Sequence, residues 1–283
     1  MKFSYFPGCT LKAEAGRSGE TAISAAGALG VEVTELDQWQ CCGAVYPLAR
    51  DEIATKLSAV RALIDAKRAG LPLLTLCSAC HHVIKRVNRD MAEDSDVRDR
   101  VNSYVAPEVP YGGETKVVHF LEMLRDHVGF DSVAKRVTAP LAGQRVAAYY
   151  GCMLLRPSSA MGFDDPENPS IMEGLIAAIG AEPVLYPQRN ECCGGYLAIE
   201  NKGAAKRRAS EVVRSAAEHG ADCIATTCPL CLYNLTENGA AGTMPVYDLT
   251  ALLANALGLH VEPSSGCAAV CSVCSERNSA HAC

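Results

Sequence analysis

Ten cysteines fall into one pattern written twice, and no other feature of the chain restricts its fold as tightly. Cys9 is followed after 31 residues by the pair Cys41-Cys42, and after a further 34 by Cys77-Ser-Ala-Cys80. Cys152 is followed after 39 residues by Cys192-Cys193, and after a further 34 by Cys228-Pro-Leu-Cys231. The surrounding words match as well: Pro-Gly-Cys9 with Tyr-Gly-Cys152, Cys41-Cys42-Gly43 with Cys192-Cys193-Gly194, and Thr-Leu-Cys77 with Thr-Thr-Cys228. Buried thiols used as small hydrophobes would explain an isolated Cys223, but not ten residues in matched register. Self-similarity of this kind marks a duplicated structural unit.

The intervening segments read alike in both copies. In the second, a β-rich run Arg145 to Tyr150 ends at Gly151-Cys152. Asn168-Pro169 then reads as an N-cap and first helical residue, opening a helix through Ile179 that stops at Gly180. A short strand at Pro183 to Tyr186, the Cys-Cys-Gly turn, a helix from about Gly203 to His219 and a strand Cys223 to Thr227 follow. The first copy repeats this with strand Lys2 to Phe6, helix Gly19 to Leu29, strand Val31 to Leu36, helix Glu52 to Ala69 and strand Leu73 to Leu76. Alternation of strand and helix predicts an α/β fold of two pseudo-symmetric halves with mostly parallel strands. Each cysteine word then sits just past a strand's carboxyl end, where ligands collect in open α/β sheets, so three segments can converge on one metal site per half. A polar stretch Ala106 to Gly113, a helix near Val118 to Val128 and the dipeptide Ala139-Pro140 lead to a division into halves 1–139 and 140–260 and a cysteine-rich tail 261–283.

Composition narrows the chemistry. The chain has 283 residues, 49% of them hydrophobic, which is core enough to fold without disulfide staples. A formal net charge of −6 lacks the basic field that nucleic acid requires. No apolar run is long enough for a bilayer, and MKFSYFPGC carries no apolar signal region, so a cytoplasmic protein without direct membrane insertion is expected. In a reducing compartment, 15 cysteines serve metals or catalysis rather than disulfides. Five thiolates per half exceed what a cubane cluster or a tetrahedral zinc needs, and adjacent side chains diverge unless they bridge two metals. A polynuclear iron–sulfur centre is favoured, with zinc in one half left open by the spacing. Reading Cys77-x-x-Cys80 and Cys228-x-x-Cys231 as redox dithiols leaves six matched cysteines unassigned. The chain has no flavin or nicotinamide fingerprint, no Walker A loop and no compact ferredoxin run, so electrons must arrive from another polypeptide.

Cys9…Cys41-Cys42-Gly43…Cys77-x-x-Cys80, doubled at Cys152…Cys192-Cys193-Gly194…Cys228-x-x-Cys231, resembles the duplicated CCG cysteine-rich domain found in the B subunit of heterodisulfide reductase. The resemblance spans about residues 1 to 258 and extends to Arg156-Pro157 and the run Gly162 to Pro169. It implies one noncubane [4Fe-4S] cluster on Cys9, Cys41, Cys42, Cys77 and Cys80, and another on Cys152, Cys192, Cys193, Cys228 and Cys231. The implied activity is cleavage of a disulfide, CoM-S-S-CoB or a related one, into two thiols. The implied partners, from the same complex, are a ferredoxin-like iron–sulfur protein and a flavin-containing protein. The same repeat also resembles the iron–sulfur subunits of quinone-linked lactate, glycolate and glycerol-3-phosphate oxidoreductases, which carry a ferredoxin module that this sequence lacks. A zinc-held structural module is a third alternative.

Other residues carry weaker expectations. His81, directly after Cys80, is a candidate proton donor to a departing thiolate. Lys12, Arg17 and Arg156 follow the lone cysteines and could meet an anionic substrate, whereas Lys206-Arg207-Arg208 reads as a solvated face. Asp164-Asp165-Pro166 could face a partner or form the helix entry. His119 and His127 are expected to be structural or exposed. Cys267, Cys271, Cys274 and Cys283 form a possible third metal site with no counterpart in the first half.

Overall fold

The computed structural model describes residues 1–13, 16–44, 52–198, 200–239 and 244–259, with side chains outside 12–17. The tail cysteines, Lys12 and Arg17 therefore lie outside the described residues and side chains.

The first half runs β1 (Lys2–Phe6), α1 (Cys9–Ala13), α2 (Gly16–Ala28), β2 (Glu32–Glu35), α3 (Ala54–Arg68), β3 (Leu73–Thr75), α4 (Ser78–Glu93), α5 (Ser95–Val105), β4 (Val117–His119) and α6 (Phe120–Glu122). A π-helical turn, Met123–Val128, then leads to α7 (Phe130–Ala134). The second half runs β5 (Arg145–Tyr149), α8 (Ser158–Met161), α9 (Ile171–Ala178), β6 (Glu182–Val184), α10 (Lys202–Glu218), β7 (Cys223–Thr226), α11 (Pro229–Asn238), β8 (Val246–Asp248) and α12 (Leu249–Ala256).

Each half is built on a four-stranded, all-parallel sheet, in the orders β2-β1-β3-β4 and β6-β5-β7-β8. The central strands β1, β3, β5 and β7 are apolar and buried along nearly their whole length, as strands covered on both faces must be. Edge strand β2 alternates exposed and half-buried residues. In both orders the chain leaves the first strand to one side and returns on the other, so the reversal lies between β1 and β3, and between β5 and β7. That is where the carboxyl ends of an open parallel sheet leave a crevice. Cys9 and Cys77 flank the first crevice, and Cys152 and Cys228 flank the second.

Two sequence expectations are corrected. The segment expected as a helix from Val118 begins instead as strand β4, paired with β3 at Leu73↔Val117, and helix starts only at Phe120. Asn168 does not cap α9. The Asp164 carboxylate accepts the N–H groups of Ser170 at 2.7 Å and Ile171 at 2.8 Å, while Asn168 Oδ1 accepts from Arg189.

The halves exchange their closing helices. After β4 the chain delivers α7 onto α9 of the second half, and after β8 it delivers α12 onto α2 of the first. The seam is tied by Thr138 and Ala139 N–H groups donating to the Ala256 carbonyl at 2.9 and 3.0 Å, and by Arg136 donating to the Ala28 carbonyl at 2.8 Å. One apolar cluster consequently runs from Phe3 and Leu63 to Ile176 and Leu253. Gly174 permits the close approach of α7 to α9, since a Cβ there would lie 2.9 Å from the Phe130 ring. Gly174→Leu is expected to lower stability by roughly 1–3 kcal/mol through overpacking, and Phe130→Ala in the same chain to recover part of that loss. Thermal melts of the two single variants and the double variant check this.

Candidate functional site

Three loops per half bring the cysteines together. Cys9 opens α1 at the end of β1, and the pair Cys41-Cys42 follows β2. Cys77 is the N-cap residue of α4 and Cys80 stands in its first turn. In the second half Cys228 is the N-cap residue of α11, with Pro229 at its first position, and Cys231 again lies in the first turn. The Cys-x-x-Cys spacing thus places two sulfurs at the positive end of each helix dipole; of these four, only Cys77 is held down, while neighbouring thiols and burial push Cys80, Cys228 and Cys231 up.

None of the described cysteines is in a disulfide. Cys9 and Cys41 sulfurs are 3.3 Å apart, Cys42 and Cys80 3.3 Å, and Cys193 and Cys231 3.6 Å. Backbone amides converge on the paired cysteines at matched positions. Gly43 N–H donates to Cys41 Sγ at 3.5 Å and Gly194 N–H to Cys192 Sγ at 3.3 Å, with Gly195 N–H on Cys193 Sγ at 3.3 Å. The glycine after each pair has positive φ, 81° in both, which a side chain would resist. Gly8 and Gly151, before the lone cysteines, also have positive φ; a Cβ on them would stand 2.9 Å from Cys80 Sγ and 3.2 Å from Cys231 Sγ.

The two sets meet. A hydrogen bond with the Cys228 thiol holds Cys77 well below the ordinary thiol value. For Cys228 the Cys231 hydrogen bond acts downward, but Cys77 and burial outweigh it and lift the thiol to about 12. Beside this contact the Ser78 and Thr227 hydroxyls are hydrogen-bonded at 3.0 Å in the buried seam. Tyr196, on the loop after Cys193, donates its hydroxyl to the carbonyl of Ala44 in the first half. Burial, then the sulfurs of Cys228, Cys152, Cys42 and Cys77, push its phenol above the ordinary range, which puts Tyr196 between the two sets. Elsewhere the thiols divide into donors and acceptors. Hydrogen bonding by Cys152 holds Cys192 down to about 2, and hydrogen bonding by Cys80 holds Cys42 down to about 7.

This environment fits an iron–sulfur group. The donors are soft thiols, amides are aimed at the sulfurs, and the glycines leave room where a side chain would collide. All five second-half cysteines line one cavity of about 250 Å³. Among the described residues no group of three or more His, Cys, Asp or Glu side chains is arranged to hold a single metal ion.

The weaker candidates fall elsewhere. His81 is fully buried, with Nδ1 2.8 Å from Thr75 Oγ1, Nε2 3.6 Å from Glu122 and its ring edge-on to His119. Burial holds it well below the ordinary imidazole value, so it stays neutral and is poorly placed to donate a proton to a thiolate. His119 is structural: its Nε2 donates to the Leu76 carbonyl at 2.9 Å, bracing the strand end that carries Cys77. Arg156 is committed to the Asn190 and Pro166 carbonyls and to Glu167. Arg208 pairs with Glu191 and Glu211. Asp165 accepts backbone N–H groups of Glu167 and Asn168, so with Asp164 it shapes the loop before α9. Ser78, Thr227 and Tyr196 do not stand out in the sequence, although each adjoins a repeated cysteine word. Their partners come from the opposite half, which spacing does not reveal.

The cysteine-rich CCG domain matches residues 3–85 and again 146–236. The membrane anchor subunit of the 8-methylmenaquinol:fumarate reductase of Wolinella succinogenes is 32% identical over 91% of this chain and 93% of its own. The B subunit of the ferredoxin/F(420)H(2)-dependent CoB-CoM heterodisulfide reductase of Methanosarcina acetivorans is 29% identical over 81% of this chain and 80% of its own. A protein of Archaeoglobus profundus, named as similar to the B subunit of heterodisulfide reductase, is 27% identical over 94% of each. A hypothetical protein from Helicobacter pylori shares the fold, with a TM-score of 0.72 at 11% identity; the match covers 94% of this chain, which spans half the length of that one. Among the described residues no helix is long and apolar enough to cross a membrane.

With hydrogen bonding by Cys152 holding Cys192 well below the ordinary thiol value, its thiolate persists into mildly acidic solution. In metal-free, anaerobic protein, alkylation of Cys192 should hold nearly constant from about pH 8 to pH 5, where an ordinary thiol slows about tenfold per unit. Peptide mass spectrometry after timed iodoacetamide treatment reads this, and a tenfold fall per unit at Cys192 would refute it.

Proposed function

The chain belongs to the family built on the duplicated CCG cysteine-rich domain, and on that footing we propose that it is the disulfide-cleaving iron–sulfur subunit of a heterodisulfide reductase-type complex. The observation that carries this reading is that the two five-thiol sets meet at one buried seam, where Ser78, next to Cys77, is hydrogen-bonded to Thr227, next to Cys228, at 3.0 Å. Cys9, Cys41, Cys42, Cys77 and Cys80 would hold one noncubane [4Fe-4S] cluster, and Cys152, Cys192, Cys193, Cys228 and Cys231 the other. Two such clusters supply electrons singly to a reaction that needs a pair.

The balance is one disulfide, two electrons and two protons in, two thiols out; the S–S bond breaks and two S–H bonds form. A substrate lying across the seam would present one sulfur to each half, which is what duplication about a shared seam provides. Tyr196 and the Ser78–Thr227 pair hold the two loops in register. Electrons would come from partner chains, a ferredoxin-like iron–sulfur protein supplied by a flavin-containing one, on the cytoplasmic side.

A second reading, an iron–sulfur electron-transfer component of a quinone-linked oxidoreductase, is favoured by the 32% identity to part of an 8-methylmenaquinol:fumarate reductase. Metal and sulfide content with EPR separates the two. Anaerobically purified protein should hold about eight irons and eight sulfides, and mild oxidation in the presence of thiols should raise a thiol-dependent paramagnetic signal. A signal indifferent to thiols but altered by a soluble quinone would favour the second reading, and stoichiometric zinc without iron would exclude both.

A further inference from the structure

Helices α3 and α10 occupy equivalent places in the two halves, each between the Cys-Cys pair and the strand that leads to Cys-x-x-Cys. Their outward charges differ. On α3, Lys56 pairs with Asp90 and Glu52, Lys67 with Glu114 and Arg68 with Asp65. On α10, Lys202, Lys206 and Arg207 are exposed, and none of them has a carboxylate partner among the described residues. The acids of α10 itself are turned to other cations, Glu211 to Arg208 and Glu218 to Arg214. At 3.6 residues per turn, Lys206, Arg207 and Arg214 share one outward face with the small Gly203 and Ser210, opposite the buried Ala205, Ala209 and Val212. Together they line a shallow groove of about 430 Å³. In a chain of formal net charge −6 this basic face is a local reversal of sign.

The face stands one helix away from the second thiol set. The inner side of α10 packs on the loop of Cys192-Cys193-Gly194, where a Cβ on Gly194 would lie 3.0 Å from Arg208 Cβ. A helix is about 10–12 Å across, so an electron carrier resting on the outer face comes close to those thiols. Leu197, 41% exposed, stands on the same loop, and its carbonyl accepts the N–H of Asn201, the N-cap residue of α10, at 2.6 Å. It supplies the apolar contact that protein interfaces set beside a charged rim.

We propose that the outer face of α10 is the docking surface for the electron donor, and that the donor meets it with an acidic face. This rests on the reading of the chain as an iron–sulfur subunit supplied by another polypeptide, and deepens it by naming the surface and the charge of the partner. At each docking one electron leaves the reduced iron–sulfur centre of the carrier, which is oxidised, and enters the second thiol set's centre; two such transfers and two protons serve one disulfide. Unlike charges steer the encounter, and salt weakens it.

The test uses the full chain, purified anaerobically, and an acidic plant-type [2Fe-2S] ferredoxin as the probe, with calorimetric binding of the oxidised ferredoxin at low ionic strength as the readout. The double variant Lys206→Glu, Arg207→Glu is expected to bind at least about tenfold more weakly, while Arg61→Glu, Arg68→Glu on α3, with the same change in net charge, binds as the native protein does. Glutamate suits a helix as well as lysine or arginine does, and all four sites are exposed, so the fold is kept. No binding to the native protein, unchanged binding by the α10 variant, or equal weakening by both variants would overturn the proposal. So would binding to vesicles of equal phosphatidylglycerol and phosphatidylcholine that only the α10 variant loses, with ferredoxin binding unmoved, since that assigns the face to a lipid surface. The underlying reading fails separately: reduced methyl viologen would leave the protein unreduced although ferredoxin still bound through α10.

Discussion

Parallel pairing forces each connection in a sheet to travel back to the end where its strand began, so all strands of one sheet finish at the same edge. Both sheets here are wholly parallel, and every repeated cysteine word follows a strand, at once for the lone cysteines and the Cys-x-x-Cys words and after a short loop for the Cys-Cys pairs. The thiols are therefore gathered by topology before any contact between them forms. The orders β2-β1-β3-β4 and β6-β5-β7-β8 then open a crevice beside the central strands, and the N-cap positions of α4 and α11 set Cys77 and Cys228 at its rim. Of the two, Cys77 is the one held toward thiolate, the form that ligates metal, while its neighbours and burial push Cys228 up.

Duplication alone would give two such edges with no fixed relation. The exchange of α7 and α12 supplies the relation, because each half completes its packing only against a helix delivered by the other. The shared core and the Ala256 and Ala28 carbonyl contacts hold the two edges face to face. The hydrogen bond between Ser78 and Thr227, which brings Cys77 and Cys228 to the same seam, follows from that arrangement. A reaction that splits one bond between two like atoms suits a site with two like sides.

Much of this is legible in the residues. Strands β1, β2, β3, β5, β6 and β7 and helices α2, α3, α9 and α10 follow from apolar runs and from glycines that stop helices at Gly30, Gly70, Gly180 and Gly220, all at positive φ. The fourth strands are not. Val117–His119 and Val246–Asp248 are as short as β3 and β6 but run directly into helices at Phe120 and Leu249, so no turn residue marks where strand ends and helix begins. The cap of α9 escapes a local reading because Asp164 reaches it from six residues upstream through a folded loop. Helix exchange leaves no local trace, since an amphipathic face does not record which half covers it. At the site, the repeat picks out the ten cysteines, while the burial of His81 and the placing of Tyr196 depend on long-range packing.

The proposed chemistry stands or falls with iron on both thiol sets across one seam. Anomalous diffraction at the iron edge, from crystals of the anaerobically purified protein, decides it. Two iron centres are expected, one among Cys9, Cys41, Cys42, Cys77 and Cys80 and one among Cys152, Cys192, Cys193, Cys228 and Cys231, adjoining where Cys77 meets Cys228. Iron confined to one set, or zinc in place of iron at either, would contradict it.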